Sequence, residues 1–164
     1  MDRLIADHTP RLSDARVGTG QTTAEIRRSH VAFVDHQRYE WLYQRIWQAA
    51  VELNQKYFDV AISGFTERIQ IARYDSSVQG FYTWHTDFGD LAPHRKLSMS
   101  LQLSRPEDYE GGDLELLFCE TPHKADRTRG ALTIFPSFAL HRVTPVTAGT
   151  RWSLVAWISG PRWR

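Results

Sequence analysis

Residues Gly80–Asp90 read GFYTWHTDFGD, a β-rich run that ends in a polar turn. Because side chains alternate faces along an extended segment, His85 and Asp87 are expected to project from the same side as a nitrogen and an oxygen ligand. The pair would lie at the rim where the strand ends, with a turn giving access. The alternative is an exposed strand end with an ordinary hydrogen-bonded pair, because a single His-x-Asp motif arises easily by chance.

This run is one of about seven short β-rich segments after residue 64, separated by Gly, Pro and Asp. No helices alternate with them, so the pattern favours a sandwich or jelly roll over a parallel α/β sheet. Segments 105–112, 120–129 and 145–149 are expected to be loops between strands. The predicted strands are 65–74, 80–86, 96–104, 113–118, 131–135, 139–144 and 150–159.

The first 60 residues have a different pattern. A short helix is expected around Leu4 and Ile5, a mobile loop at 17–23, and a strand at 30–34. A longer helix is predicted from an N-cap at Asp35 to Tyr57, with its apolar stripe packed on a sheet. The stripe consists of Leu42, Ile46, Ala49, Ala50, Leu53 and Tyr57. The fold class is therefore mainly β with flanking α, with helical support over about 1–60 and a β core over about 64–160.

Length and composition narrow the possible functions. The chain has 164 residues, which predicts one domain able to enclose a small-molecule site. The formal charge of +1, with both signs interspersed, does not favour binding to nucleic acid. Cys119 is the only cysteine, and no apolar run predicts a signal peptide or membrane span. A cytoplasmic protein without a membrane partner is expected.

His141 is the candidate for a third ligand. Its ring would point to one side of a late strand, and a jelly roll brings such distant strands together. Two histidines and one carboxylate leave coordination positions open, which suits non-haem Fe(II), whereas zinc more often sits in a closed tetrahedral site. A lone strand histidine is, however, more often an ordinary core or surface residue.

Arg151 indicates that the site binds a second ligand beside the metal ion. It shares a face with Ser153 on a strand expected beside that of His141. A guanidinium inside an apolar barrel requires an anion, and a carboxylate is its best partner. A salt bridge to Glu115 or Glu67 is the alternative.

A series of motifs resembles, in order, the iron(II)- and 2-oxoglutarate-dependent dioxygenases of the prolyl 4-hydroxylase type, in particular the PKHD-type hydroxylases. The resemblance covers about 15–158, and only the linked set is specific. The motifs are Gln70-x-x-x-Tyr74, His85-x-Asp87, Arg95-Lys96-Leu97-Ser98, Leu101-x-Leu103-Ser104, Tyr109-x-Gly111-Gly112-Asp113-Leu114, Gly130, Phe135-Pro136-Ser137, His141-Arg142-Val143-Thr144-Pro145-Val146 and Gly149-x-Arg151.

This resemblance implies a double-stranded β-helix of the jelly-roll, cupin-like kind. It implies Fe(II) held by His85, Asp87 and His141, with O₂ as co-reactant and ascorbate as an accessory reductant. The cosubstrate 2-oxoglutarate would bind through its distal carboxylate to Arg151, with Ser153 assisting and Tyr74 lining the pocket. The implied reaction hydroxylates a C–H bond of a prolyl residue in a peptide, or of a small amino-acid-like substrate, and releases succinate and CO₂.

The sequence departs from this family at several positions. The position two after Ser100, where relatives often have an aromatic residue, is occupied by Gln102. The nucleic-acid-repair branch of the superfamily fits less well, because the second arginine that it carries six residues after the anchoring one is Trp157 here. Relatives usually carry a strand ahead of the segment that matches 2–6, so a trimmed N-terminal edge is expected. Candidates for the substrate rim are Trp84, Phe88, Arg95 and the loop 17–23. A cupin-like protein with another metal and a non-catalytic binding module are the alternatives.

Overall fold

The computed structural model describes residues 1–15 and 24–163, so the predicted loop 17–23 lies outside the described residues. The helices are α1 (Asp2–His8) and α2 (Glu40–Tyr57). Short 3-10 helices cover Thr9–Arg11, Ser76–Val78 and Pro106–Asp108. The strands are β1 (Ser13–Asp14), β2 (Arg27–Arg28), β3 (His30–Phe33), β4 (Gln70–Asp75), β5 (Phe81–His85), β6 (Arg95–Gln102), β7 (Tyr109–Gly111), β8 (Leu114–Leu117), β9 (His123–Lys124), β10 (Leu132–Pro136), β11 (Leu140–Val143) and β12 (Val146–Ser159).

The strands form two antiparallel sheets. The large sheet has the order β1-β3-β4-β12-β6-β10, with β7 also paired to β12, and the small sheet has the order β2-β5-β11-β8-β9. Strands far apart in the chain therefore become neighbours: β12 lies between β4 and β6, and β11 between β5 and β8. The predicted mainly β jelly roll is confirmed.

The large sheet has one face toward the helices and one toward the interior of the fold. In β6, Leu97 and Met99 are fully buried in the same apolar cluster as Leu42 and Ile46 of α2. Burying each such side chain stabilises the fold by roughly 1.5–3 kcal/mol. The predicted packing of the helix on a sheet is therefore confirmed. The alternate residues of β6, which include Ser98, project to the opposite face.

The start and end of the long helix differ from the prediction. The helix begins at Glu40, because Asp35 instead accepts a 2.8 Å hydrogen bond from the backbone N–H of Arg38 and closes a separate turn. Tyr57 is 61% exposed and does not belong to the buried stripe. Tyr43 is buried in its place, and its hydroxyl donates to the carbonyl of Val34 over 2.9 Å. No helix in the described ranges combines the length and apolar character that a membrane crossing needs.

Several predicted strands and loops have different limits. Strand β4 begins at Gln70, five residues later than predicted. Strand β12 begins at Val146, inside the predicted loop 145–149, and pairs there with β7, which lies in the predicted loop 105–112. Strand β9 lies in the predicted loop 120–129, and β1 and β2 lie in the region expected to be helical support, whereas β3 matches the predicted strand 30–34. Backbone hydrogen bonds hold these short pairings together. Because such bonds do not involve the side chains, the sequence shows no apolar alternation that would predict them.

Candidate active site

His85, Asp87 and His141 meet where β5 ends beside β11, in the inner part of the small sheet. The register of β11 and β5 places His141 directly opposite His85, with ring centroids 4.1 Å apart. Asp87 follows β5 and directs Oδ2 to within 3.4 Å of His141 Nε2 and Oδ1 to within 3.8 Å of His85 Nε2. The potential ligand atoms all lie within 4.8 Å of one another. The three side chains could therefore hold one metal ion.

Backbone carbonyls orient both imidazole rings. His85 Nδ1 lies 2.8 Å from the carbonyl oxygen of Thr83, and His141 Nδ1 lies 2.9 Å from that of Ala139. A carbonyl only accepts, so each Nδ1 carries the proton and donates it. Each Nε2 therefore presents its lone pair toward Asp87, which is the tautomer that a metal-binding histidine requires.

The protonation states of these groups also suit a metal ion. Burial, together with the neighbouring His141, lowers the pKa of His85 to about 4, so its ring is neutral at pH 7. Burial opposes the charge of Asp87, but His141, His85 and a hydrogen bond from Ser98 together lower its pKa, so it is a carboxylate. Two imidazoles and one carboxylate form a donor set typical of non-haem Fe(II), with coordination positions left open.

Residues from the large sheet and from the turn after β10 hold Asp87 in place. The Ser98 hydroxyl donates to Asp87 Oδ2 over 2.7 Å, and it also lies 3.1 Å from the Ser137 hydroxyl. The backbone N–H groups of Asp87 and Phe88 both donate to the Ser137 carbonyl over 2.9 Å. The carboxylate therefore has a defined position before any metal binds, which reduces the cost of ordering it.

Arg95, expected at the substrate rim, instead lies behind Asp87. Its guanidinium donates two hydrogen bonds to Glu67, of 2.7 and 2.5 Å, and a third of 3.2 Å to the Asp87 carbonyl. It also stacks over Trp157, with its central carbon 3.8 Å from the ring centroid. Arg95 does not line the cavity described below, and neither do Trp84 and Phe88.

A cavity opens beside the three candidate ligands, between the two sheets. On the small sheet the Tyr82 ring stacks on His85 with centroids 3.5 Å apart, and Arg27 lies over Tyr82 at 4.6 Å. The cavity's other lining residues are Gln70, Tyr74, Asp87, Ser98, Met99, Ser100, Leu114, Phe135, His141, Val143, Arg151, Ser153, Val155 and Trp157.

Arg151 is a buried cation that lines this cavity. It is only 3% exposed, and its Nη1 has no hydrogen-bond partner among the described residues. The predicted alternative of a salt bridge is wrong, because Glu115 binds Arg142 over 2.7 Å and Glu67 binds Arg95. A buried guanidinium without a protein carboxylate fits an anionic ligand.

Tyr74 and Ser153 line the same cavity as Arg151. The register of β12 and β4 places Tyr74 opposite Arg151, whose guanidinium carbon is 5.5 Å from the tyrosine ring centroid. Ser153 is buried and lines the same cavity. Trp157 also lines it. The residues present therefore fit a metal ion together with a polar, acidic ligand.

Sequence reasoning assigned no role to several residues of the site, among them Tyr82, Ser98 and Ser137. The signal for Ser98 was present, because polar residues occupy every second position of β6. A strand with one face in solvent has the same pattern. Alternation alone therefore does not distinguish polar residues that face solvent from polar residues that face a site inside the fold.

Comparisons with known proteins agree with this geometry. The model of the family described as "2OG-Fe(II) oxygenase superfamily" matches residues 69–159. A PKHD-type hydroxylase of Synechococcus sp. is 34% identical over 120 residues, which make up 70% of this chain and 53% of that protein. The chain thus spans about half the length of this curated relative.

Solved structures show the same fold. A Pseudomonas putida prolyl-4-hydroxylase superposes with a TM-score of 0.75 at 25% identity, covering 96% of this chain and 81% of that one. A Trichoplax adhaerens prolyl hydroxylase, in complex with a hypoxia inducible factor peptide fragment, superposes with a TM-score of 0.81 at 20% identity, covering 96% and 74%. The resemblance seen in the sequence motifs is confirmed: this chain belongs to the 2OG-Fe(II) oxygenase superfamily and is related to the PKHD-type hydroxylases.

Proposed function

We propose that this chain is an Fe(II)- and 2-oxoglutarate-dependent hydroxylase. The observation that carries the proposal is Arg151, a buried guanidinium without a carboxylate partner among the described residues, which lines the same cavity as the three candidate metal ligands. A metal site that uses no acidic cosubstrate has no need to bury such a cation. Arg151 therefore favours this reading over a cupin-like protein with another chemistry.

In this proposal His85, Asp87 and His141 hold Fe(II), and Arg151 binds the distal carboxylate of 2-oxoglutarate. Tyr74 and the Ser153 hydroxyl line the cosubstrate pocket. Bound iron would supply the oxidation by O₂ that converts 2-oxoglutarate to succinate and CO₂ and inserts the second oxygen atom into a substrate C–H bond. The protein orients the cosubstrate, excludes water and places that C–H bond near the metal.

We propose a prolyl residue in a peptide, or a small amino-acid-like molecule, as the substrate. Arg27 and Gln70 line both the metal cavity and a neighbouring groove of about 650 Å³. The groove continues along β1 and β3 past Asp14 and Phe33, so an extended chain could enter the metal cavity from it. The 25% identity to the Pseudomonas putida prolyl-4-hydroxylase supports a prolyl substrate.

The test begins with purified protein and Fe(II) under anaerobic conditions. Adding 2-oxoglutarate should give a weak visible charge-transfer band, and admitting O₂ with ascorbate should give succinate. Candidate peptides and amino acids are then searched by mass spectrometry for a product with one added oxygen atom. If the metal-loaded protein binds no 2-oxoglutarate and forms no succinate with any of them, the proposal is wrong.

Arg151→Ala should raise the 2-oxoglutarate concentration needed for half-maximal succinate formation about 100-fold, because a buried charge pair is lost. Fe(II) affinity should change less than about threefold, since no candidate ligand is altered. Arg162→Ala, at an exposed position, is the matched control. Equal loss of metal and cosubstrate affinity would show that Arg151 is structural instead.

A further inference from the structure

A second, smaller cavity adjoins the metal cavity. Arg151, Ser100 and Leu114 line both cavities, so the smaller one continues the space around the Arg151 guanidinium. Its other lining residues are Gln102, Tyr109, Gly112, Ala125, Asp126, Arg127, Ala131 and Thr133. Most of these walls are polar, unlike an ordinary packing defect.

Two arginine side chains with unpartnered N–H groups line this small cavity. The buried atoms without a hydrogen-bond partner among the described residues include Arg151 Nη1 and Arg127 Nε. The rest of the Arg127 guanidinium is bound, to Asp113 over 3.1 Å and to the Tyr109 carbonyl over 2.9 Å. The acidic lining residue, Asp126, has its carboxylate bound to the backbone N–H of Thr128 over 2.7 Å. The small cavity is therefore suited to an anion.

Tyr109, whose side chain carries a hydroxyl group, lines the same cavity. The side-chain N–H of Gln102 donates to the Tyr109 hydroxyl oxygen over 2.7 Å. Because that oxygen acts as the acceptor, its own proton remains available for another acceptor. Both residues are almost fully buried, at 5% and 4% exposure, so water does not compete freely for that proton. Arg127 stacks on the Tyr109 ring at 4.3 Å and holds it in place.

Gly112 allows Arg151 and Tyr109 to come together. A Cβ at this glycine would lie 3.1 Å from Arg151 Cδ and 3.4 Å from Tyr109 Cδ2. The two side chains therefore flank the same point of the backbone, and no side chain separates them there. Their donor groups line one cavity from adjacent positions.

We propose that the small cavity receives the distal carboxylate of the cosubstrate and that Tyr109, oriented by Gln102, donates the second hydrogen bond to it beside Arg151. The inference rests on the proposed function and assigns Tyr109 as a cosubstrate-binding residue. The pair would select a 2-oxo acid with a second carboxylate over one that ends in a methyl group. Tyr74, which lines the metal cavity but not the small one, then contacts the cosubstrate nearer the metal end.

The experiment measures binding by calorimetry on the full chain loaded with Mn(II) in place of iron, so that no turnover is needed. The two ligands are 2-oxoglutarate and 2-oxopentanoate, which has the same chelating end but a methyl group instead of the distal carboxylate. Tyr109→Phe should raise the Kd for 2-oxoglutarate about tenfold, the usual effect of losing a hydrogen bond to a charged group. The Kd for 2-oxopentanoate should change less than twofold.

Gln102→Glu is the second variant. Its carboxylate would accept the Tyr109 proton and oppose an anion beside Arg151, so it should weaken 2-oxoglutarate binding more than tenfold and spare 2-oxopentanoate. Tyr57→Phe, at an exposed position, is the control for the loss of a hydroxyl. Unchanged 2-oxoglutarate affinity in both variants, or equal losses for both ligands, would overturn the assignment. Wild-type protein that binds no 2-oxoglutarate would instead contradict the proposed function itself.

Discussion

The hydroxyl of Ser98 donates a 2.7 Å hydrogen bond to Oδ2 of Asp87, the carboxylate oxygen nearest His141. Ser98 belongs to β6 of the large sheet, whereas Asp87 follows β5 of the small sheet. The bond therefore joins the two sheets at the candidate metal site. The orientation of the carboxylate depends on a residue that lies across the fold from both histidines.

Ser98→Ala should lower metal affinity about 10-fold to 100-fold, which is the usual effect of removing a partner that orients a ligand. Ser98→Thr keeps a hydroxyl and should retain more of the affinity than the alanine variant. Titration of both variants with Mn(II), followed by calorimetry, compares them. Wild-type affinity in the alanine variant would mean that the hydrogen bond does not position Asp87.

Gly112→Ala should destabilise the protein by about 1–3 kcal/mol, because a side chain would be forced into a left-handed backbone and against its neighbours. Gly112 has a φ of +61°, and a Cβ there would lie 2.8 Å from Val146 Cγ2. Urea unfolding measures the loss. Gly89→Ala is the matched control, since a Cβ at Gly89 meets nothing within 4 Å, and it should unfold like the wild type. Equal stability of the two variants would contradict the prediction.

Asp75 should contribute to stability in a pH-dependent way. Burial opposes its charge, but Arg73 and the hydrogen bonds from Ser77 lower its pKa from 3.8 to about 2 in the folded protein. Because the folded pKa is the lower one, the stabilisation is fully present above pH 3.8 and is lost as the pH falls through 2.

Asp75→Asn should therefore cost about 2 kcal/mol at neutral pH and progressively less as the pH approaches 2. Urea unfolding of wild type and variant across this pH range measures the difference. Glu120→Gln, at an exposed position, should parallel the wild type. A destabilisation by Asp75→Asn that stays constant with pH would show that the carboxylate charge is not responsible.

Local patterns in the sequence predicted the parts of the candidate site that lie on single strands. The two-residue spacing placed His85 and Asp87 together, and the same rule placed Arg151 beside Ser153. The jelly-roll class followed from short β-rich runs without intervening helices, and the ordered motifs identified the family. These predictions depend only on side-chain alternation and chain order, so they do not require knowledge of which strands pair.

Other features depended on which partner each polar side chain finds in the fold. Asp35 is a residue type typical of a helix N-cap, but the turn that it closes precedes the helix. Arg95 resembled a rim residue, yet Glu67 and the Asp87 carbonyl occupy its guanidinium. A charged side chain takes whichever partners the fold brings near, and sequence spacing does not specify them.

Alternation thus shows which side chains share a face, as with Ser98 and Gln102 on β6, and it does so without any structure. It does not show whether that face meets water or another sheet. Only the packing of the small sheet over the large one turns the polar face of β6 into the wall of a cavity, with Arg151 buried among its donors. The reason is that strand pairing and sheet packing join residues far apart in the chain, and their energies depend on the whole arrangement instead of on any local segment.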